Sequence, residues 1–190
     1  IIYRSNRTGP YGIFRQPADG LGQPEILMRS SRQVVPMSLS GDGEQLAVAP
    51  ITDSRLMMLA LDGKGTARAL TAPAPFMERN PDISEDGRWI AYESDESGAF
   101  QIYVRPFPSV EQRRWQLSID GGTRPRWAPN GRELYYVSNN RRLMAVSVQA
   151  GGAFAFGKPG VAFYGCRVQP YPNRPSHLSP DPPRTANLNE

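Results

Sequence analysis

The chain of 190 residues offers nucleophilic and metal chemistry one histidine, His177, and one cysteine, Cys166. A Ser-His-Asp triad would have to use His177, which stands in a proline-rich stretch, and no Gly-x-Ser-x-Gly elbow is present to hold a nucleophile. One Cys and one His do not assemble a zinc spacing. Phosphotransfer lacks its parts too: there is no Gly-rich loop, no His-Arg-Asp and no Asp-Phe-Gly. Asp42, Asp86 and Asn130 recur at regular spacing and could suggest calcium. Calcium takes about six to eight oxygen ligands, and one side chain per turn does not supply them. The sequence therefore predicts no active site, no metal and no cofactor.

Charge excludes a further class. The net charge is +4, and all basic residues but Lys64 and Lys158 are arginine. They are scattered, with short pairs at Arg113-Arg114 and Arg141-Arg142, not gathered on an aromatic-laced face as a nucleic-acid binder needs. No run of about 18 apolar residues is available to span a membrane. Trp89, Trp115 and Trp127 could stack on a sugar or peptide, but their places in strands favour packing inside the fold. What remains is binding by loops, and loops need a scaffold.

That scaffold is written as an internal repeat. Pro36 to Gly43, Pro81 to Gly87 and Pro125 to Gly131 align, with the turn glycines 43, 87 and 131 spaced 44 residues apart. An apolar position follows each turn at Val48, Tyr92 and Tyr136, and Ile1 to Gly9 mirrors Ile90 to Gly98. The repeat thus begins before residue 1, and the expectation is a chain cut from a longer polypeptide. A helical array of this period is the alternative, but the Asp-Gly and Asn-Gly pairs predict type I′ hairpin turns. Short runs at 44–48, 88–92 and 132–137 follow these turns; 56–61, 101–105 and 143–148 come next, then 67–70, 115–118 and 161–163. Four antiparallel strands per period predict an all-β fold, a partial β-propeller. A sandwich would have no reason to repeat its turn at an identical period. Residues 1–35 read as a partial blade, and 36–80, 81–124 and 125–164 as complete ones. Residues 165–190 read as a disordered proline-rich tail or a damaged next blade, because Pro182 replaces the turn glycine.

Pro81-Asp82-Ile83-Ser84-Glu85-Asp86-Gly87-Arg88-Trp89-Ile90-Ala91-Tyr92 resembles the repeat of TolB-like, WD40-like (PD40) bacterial propellers. Residues 102–108 and 120–127 are similar to propellers appended to bacterial serine/threonine kinases. That resemblance implies an extracytoplasmic or periplasmic protein-binding module joined to its kinase by a membrane helix. The family's other forms imply alternatives: the gating propeller of a prolyl-oligopeptidase-type peptidase, or a free periplasmic protein. Asn130 in place of Asp, and Gly41 ahead of Asp42-Gly43, depart from the pattern without spoiling the turns.

If each repeat starts on the innermost strand, the loops after its second and fourth strands share one end of the ring. This places Arg79, Asn80, Thr123 and Arg124 at the channel mouth, with Asp95 and Glu96 in one neighbouring loop and Asn139 and Arg141 in another. The expected partner is a protein or small ligand, with neither nucleic acid nor membrane contact. An open arc also exposes blade edges that favour self-association.

Overall fold

The computed structural model describes residues 1–7, 9–50, 54–149 and 153–163. Among these there is no helix, and sixteen strands form four antiparallel sheets. The first sheet holds β1 (Ile2–Ser5), β2 (Tyr11–Arg15) and β3 (Glu25–Ser30), and the second β4 (Val34–Leu39), β5 (Gln45–Pro50), β6 (Met57–Ala60) and β7 (Ala67–Ala69). The third holds β8 (Glu78–Ile83), β9 (Trp89–Ser94), β10 (Gln101–Pro106) and β11 (Trp115–Gln116). The fourth holds β12 (Thr123–Trp127), β13 (Glu133–Val137), β14 (Leu143–Gln149), β15 (Ala155–Phe156) and β16 (Gly160–Phe163). Within each of the four, successive strands pair in chain order, except that β15 and β16 both pair with β14. The fourth strand expected at 161–163 is thus in two pieces, parted around Pro159, which has no N–H to give a ladder.

The sheets stack because each middle strand is apolar on both faces. Along β9, Ile90 and Tyr92 enter the core shared with the second sheet, while Trp89 and Ala91 enter the core shared with the fourth. In β10, Tyr103 faces one way and Ile102 and Val104 the other. In the second sheet, Leu46, Val48 and Leu59 pack toward the first sheet with Ile13 and Leu27, while Ala47 and Met58 pack toward the third. This period-two division into three dry layers is what radial blade stacking requires. Trp89 is buried, with Trp115 and Trp127 partly buried against the same layer, so all three pack blades together.

Polar groups tie neighbouring sheets at the repeat spacing. Ser38 Oγ accepts the N–H of Ile83 at 3.0 Å, and Asp82 Oδ2, one repeat on, accepts that of Trp127 at 2.7 Å. Burial raises the Asp82 carboxyl above its ordinary range, with the bond from Trp127 and the charge of Arg126 opposing it. Within the third sheet, buried Glu78 meets Arg105 at 3.3 Å, and Arg105 Nε donates to the Tyr92 hydroxyl at 2.6 Å. Burial pushes the Tyr92 phenol and the Glu78 carboxyl upward.

The repeated turn is not of type I′. Only Gly43, Gly87 and Gly131 take positive φ there, while Asp42, Asp86 and Asn130 do not. The loop is longer: Ser84 N donates to Trp89 O, Gly87 N donates to Ser84 O, and Gly87 turns the chain at φ 67°. Two of the three turns brace this loop with a serine two residues ahead of the aspartate, and the third keeps the same backbone bonds with Ala128 in that place. Ser84 Oγ accepts from Trp89 N at 3.0 Å and donates to Asp86 Oδ1 at 2.6 Å, and Asp86 Oδ1 also accepts from Arg88 N. Ser40 and Asp42 form the same latch. Gly41 lacks a side chain because Glu85 O of the next turn would lie 2.0 Å from a Cβ there.

Candidate functional site at the channel mouth

At the end opposite these turns, the inner strands β8 and β12 each carry a bulge. Register slips between Arg79 and Asp82 and between Thr123 and Arg126. The inner strands begin at Val34, Glu78 and Thr123, ahead of the boundaries at 36, 81 and 125 read from the motif. A residue preceding proline avoids the right-handed helical region. Asn80 before Pro81 and Arg124 before Pro125 are instead left-handed, at φ 51° and 56°.

A cleft of about 540 Å³ opens between these bulges and the loop after β13, lined by Arg79, Asn80, Glu93, Thr123, Arg124, Val137, Ser138, Asn139 and Arg141. Six of the residues expected at the mouth therefore meet: Arg79, Asn80, Thr123, Arg124, Asn139 and Arg141. Asp95 and Glu96 do not join them. Asp95 Oδ1 accepts the N–H of Met77 at 2.7 Å, and Glu96 pairs with Arg114.

The residue that organises the cleft is Glu93, which is fully buried. Its Oε1 accepts from Arg79 Nε and, at 3.0 Å, from Asn80 Nδ2; its Oε2 accepts the backbone N–H of Arg124 at 2.6 Å. One carboxylate so fastens both bulges, in adjacent sheets. Arg79 is fixed a second time, its guanidinium lying 3.8 Å from the centre of the Phe100 ring. The sequence carried a signal for Glu93: it is the acid in the buried strand Trp89–Ser94, where the neighbouring repeats place Ala49 and Val137.

The far wall is the turn Ser138-Asn139-Asn140-Arg141. Arg141 N donates to Ser138 O at 2.8 Å, and Arg141 takes φ 57°. Asn139 lies against Gly121, where a Cβ would come within 2.0 Å of its side chain. Gly121 itself is held by buried Gln101, whose Oε1 accepts from Gly121 N at 3.0 Å and from Ser118 Oγ. Asn80, Arg124 and Arg141 are the non-glycine residues with positive φ among those described, and all three line this cleft.

His177 and Cys166 lie outside the described residues, as does the tail from 165 onward. Among the described residues no group of three or more His, Cys, Asp or Glu could hold a metal ion. No helix among them is long and apolar enough to cross a membrane.

No family model matches the chain, and no curated protein matches it in sequence. Solved structures do. A putative TolB from Agrobacterium tumefaciens superposes with TM-score 0.66 at 20% identity, over 84% of this chain and 61% of that one. TolB from Acinetobacter baumannii gives 0.63 at 18% identity, over 80% and 39%. A puromycin-hydrolysing peptidase of Mycobacterium tuberculosis gives 0.55 at 17%, over 80% and 28%. The chain thus spans less than two thirds of each of these proteins. The four stacked sheets, the repeat and these superpositions give one result: the fold is that of the TolB-like β-propellers.

Proposed function

We propose that this chain is a non-catalytic binding module that takes a protein segment or small ligand in the cleft between the bulges of β8 and β12 and the loop after β13. The observation that supports this most is the gathering of Asn80, Arg124 and Arg141 there. A left-handed residue other than glycine costs about 1–3 kcal/mol and persists where the surroundings over-determine it, which is why such residues collect at functional sites. Glu93 and Gln101 are that over-determination. The likeness of 102–108 and 120–127 to kinase-appended propellers supports a parent in which this module is the extracytoplasmic sensing arm of a membrane kinase. A hydrolase domain encoded downstream of the chain would replace that parent with a peptidase.

The test is selection of binders to the full chain from a random peptide display library, followed by hydrogen exchange of the complex. Protection at 79–80, 123–124 and 138–142 is expected. Protection confined to the Ser84–Trp89 and Ala128–Glu133 turns would refute the assignment of the site.

A further inference from the structure

Resting on the mouth as the binding place, we infer that the group it recognises is a carboxylate of a peptide, gripped by Arg79 with Arg141 opposite. The guanidinium of Arg79 is half-exposed, at 43% for its side chain, while Glu93 beneath it is closed to solvent. Nε is spent on Glu93 and one face of the guanidinium on Phe100, and among the described residues neither terminal nitrogen has a partner. The side chain is therefore a fixed planar fork with its two amino groups open, the arrangement that matches a carboxylate in bidentate fashion. Its conformational entropy is already lost before a ligand arrives, so less is lost on binding.

The rest of the lining agrees. Arg141 is exposed, has no side-chain partner among the described residues, and lines the far wall on a strained backbone. Glu93 is the acid in the lining, and Arg79, Asn80 and the Arg124 N–H already occupy its oxygens. The cleft is thus rich in donors and its one carboxylate is satisfied. Phe100 is the ring nearest the fork, and Arg79 lies over it, so a base or sugar does not gain a stacking face there. A peptide, which brings a carboxylate on a chain able to follow the cleft, fits these features better than a nucleotide.

The experiment titrates three probes into the full chain: an Asp- and Glu-rich peptide, its Asn and Gln counterpart, and inorganic phosphate. Fluorescence anisotropy reads the first two and competition the third. The acidic peptide should bind at least about tenfold more tightly than the amide version, weakening as salt rises. Arg79→Gln should lose about tenfold, and Arg79→Lys should not restore it because the planar fork is gone. Should Arg79→Gln also lower the melting temperature, Arg141→Gln supplies the same comparison from a side chain that holds nothing among the described residues. Arg132→Gln, at the opposite end, should change nothing. Equal affinity for acidic and amide peptides, still lost with mouth variants, would overturn the carboxylate assignment and leave the mouth as the site. Binding indifferent to every mouth variant would overturn both. Phosphate binding that depends on Arg79, with no binding of the acidic peptide, would also overturn it.

Discussion

The two ends of the propeller arc use the same kind of turn in opposite ways. In seven turns among the described residues the fourth residue donates its N–H to the first carbonyl and takes positive φ: Gly9, Gly20, Gly43, Gly87, Gly98, Gly131 and Arg141. Six use glycine, which adopts that conformation without steric cost. At the hairpin end, Gly43, Gly87 and Gly131 follow the 44-residue repeat, and the turns serve the fold. At the mouth the repeat is broken twice, by Glu93 where its neighbours have Ala49 and Val137 and by Arg141 in a glycine's position, beside the left-handed Asn80 and Arg124, which recur one repeat apart. Where the chain repeats itself it is building blades. Where Glu93 and Arg141 depart from the repeat, they line the cleft.

The largest effect should come from the residue that joins the two bulges. Glu93→Ala leaves the Arg124 N–H and the Arg79 guanidinium without their acceptor, and a loss of about 2–3 kcal/mol in urea unfolding is expected. The figure is below that for a wholly buried pair because Arg79 remains partly hydrated. A loss under about 0.5 kcal/mol would mean the bulges hold themselves.

The hairpin end contains its own control. Ser84→Ala removes the hydroxyl that bridges Trp89 N and Asp86, and should cost about 1–2 kcal/mol. The third turn has already lost this latch, with Ala128 and Asn130 in the two places, so Ala128→Ser combined with Asn130→Asp should gain about 1 kcal/mol. Equal melting temperatures for the native and double-substituted chains would show that the latch is ornamental.

Smaller still is the acid dependence. Hydrogen bonds from Ser40 and Glu44 hold the Asp42 carboxyl below its ordinary 3.8. Burial raises Asp86, but the bonds from Ser84 and Arg88 outweigh it and leave its value lowered as well. A carboxyl with a depressed folded value stabilises the fold above the unfolded value, and that share is lost as pH falls through the folded one. Asp86→Asn should therefore flatten the loss of stability below pH 3.8, and an unchanged acid limb would exclude the turn as its source.

How much of this was legible in sequence follows the same division. The blade count, the strand order and the double-sided cores could be read because they depend on local alternation and on a period, as in Ile90 and Tyr92 against Trp89 and Ala91. Asp-Gly alone suggests two left-handed residues, whereas all three turns close a longer loop with one, which Ser40 and Ser84 brace in two of them. Topology alone brings six of the residues named from sequence to one cleft, since loops after second and fourth strands converge. Glu93 shows in the sequence only as an acid where the neighbouring repeats have Ala49 and Val137, and no spacing rule announces its bond to Arg124 in the next sheet. Asp95 and Glu96 sit in the corresponding loop one blade earlier, where they are spent on Met77 and Arg114.

The most direct measurement is made on Arg141→Gly, recording melting temperature and affinity for a mouth-selected peptide on the same preparation. Relief of the left-handed arginine should raise stability by about 1 kcal/mol while affinity falls roughly tenfold. A variant that melts lower, or binds as tightly as the native chain, would contradict the claim that strain is kept at the mouth for binding.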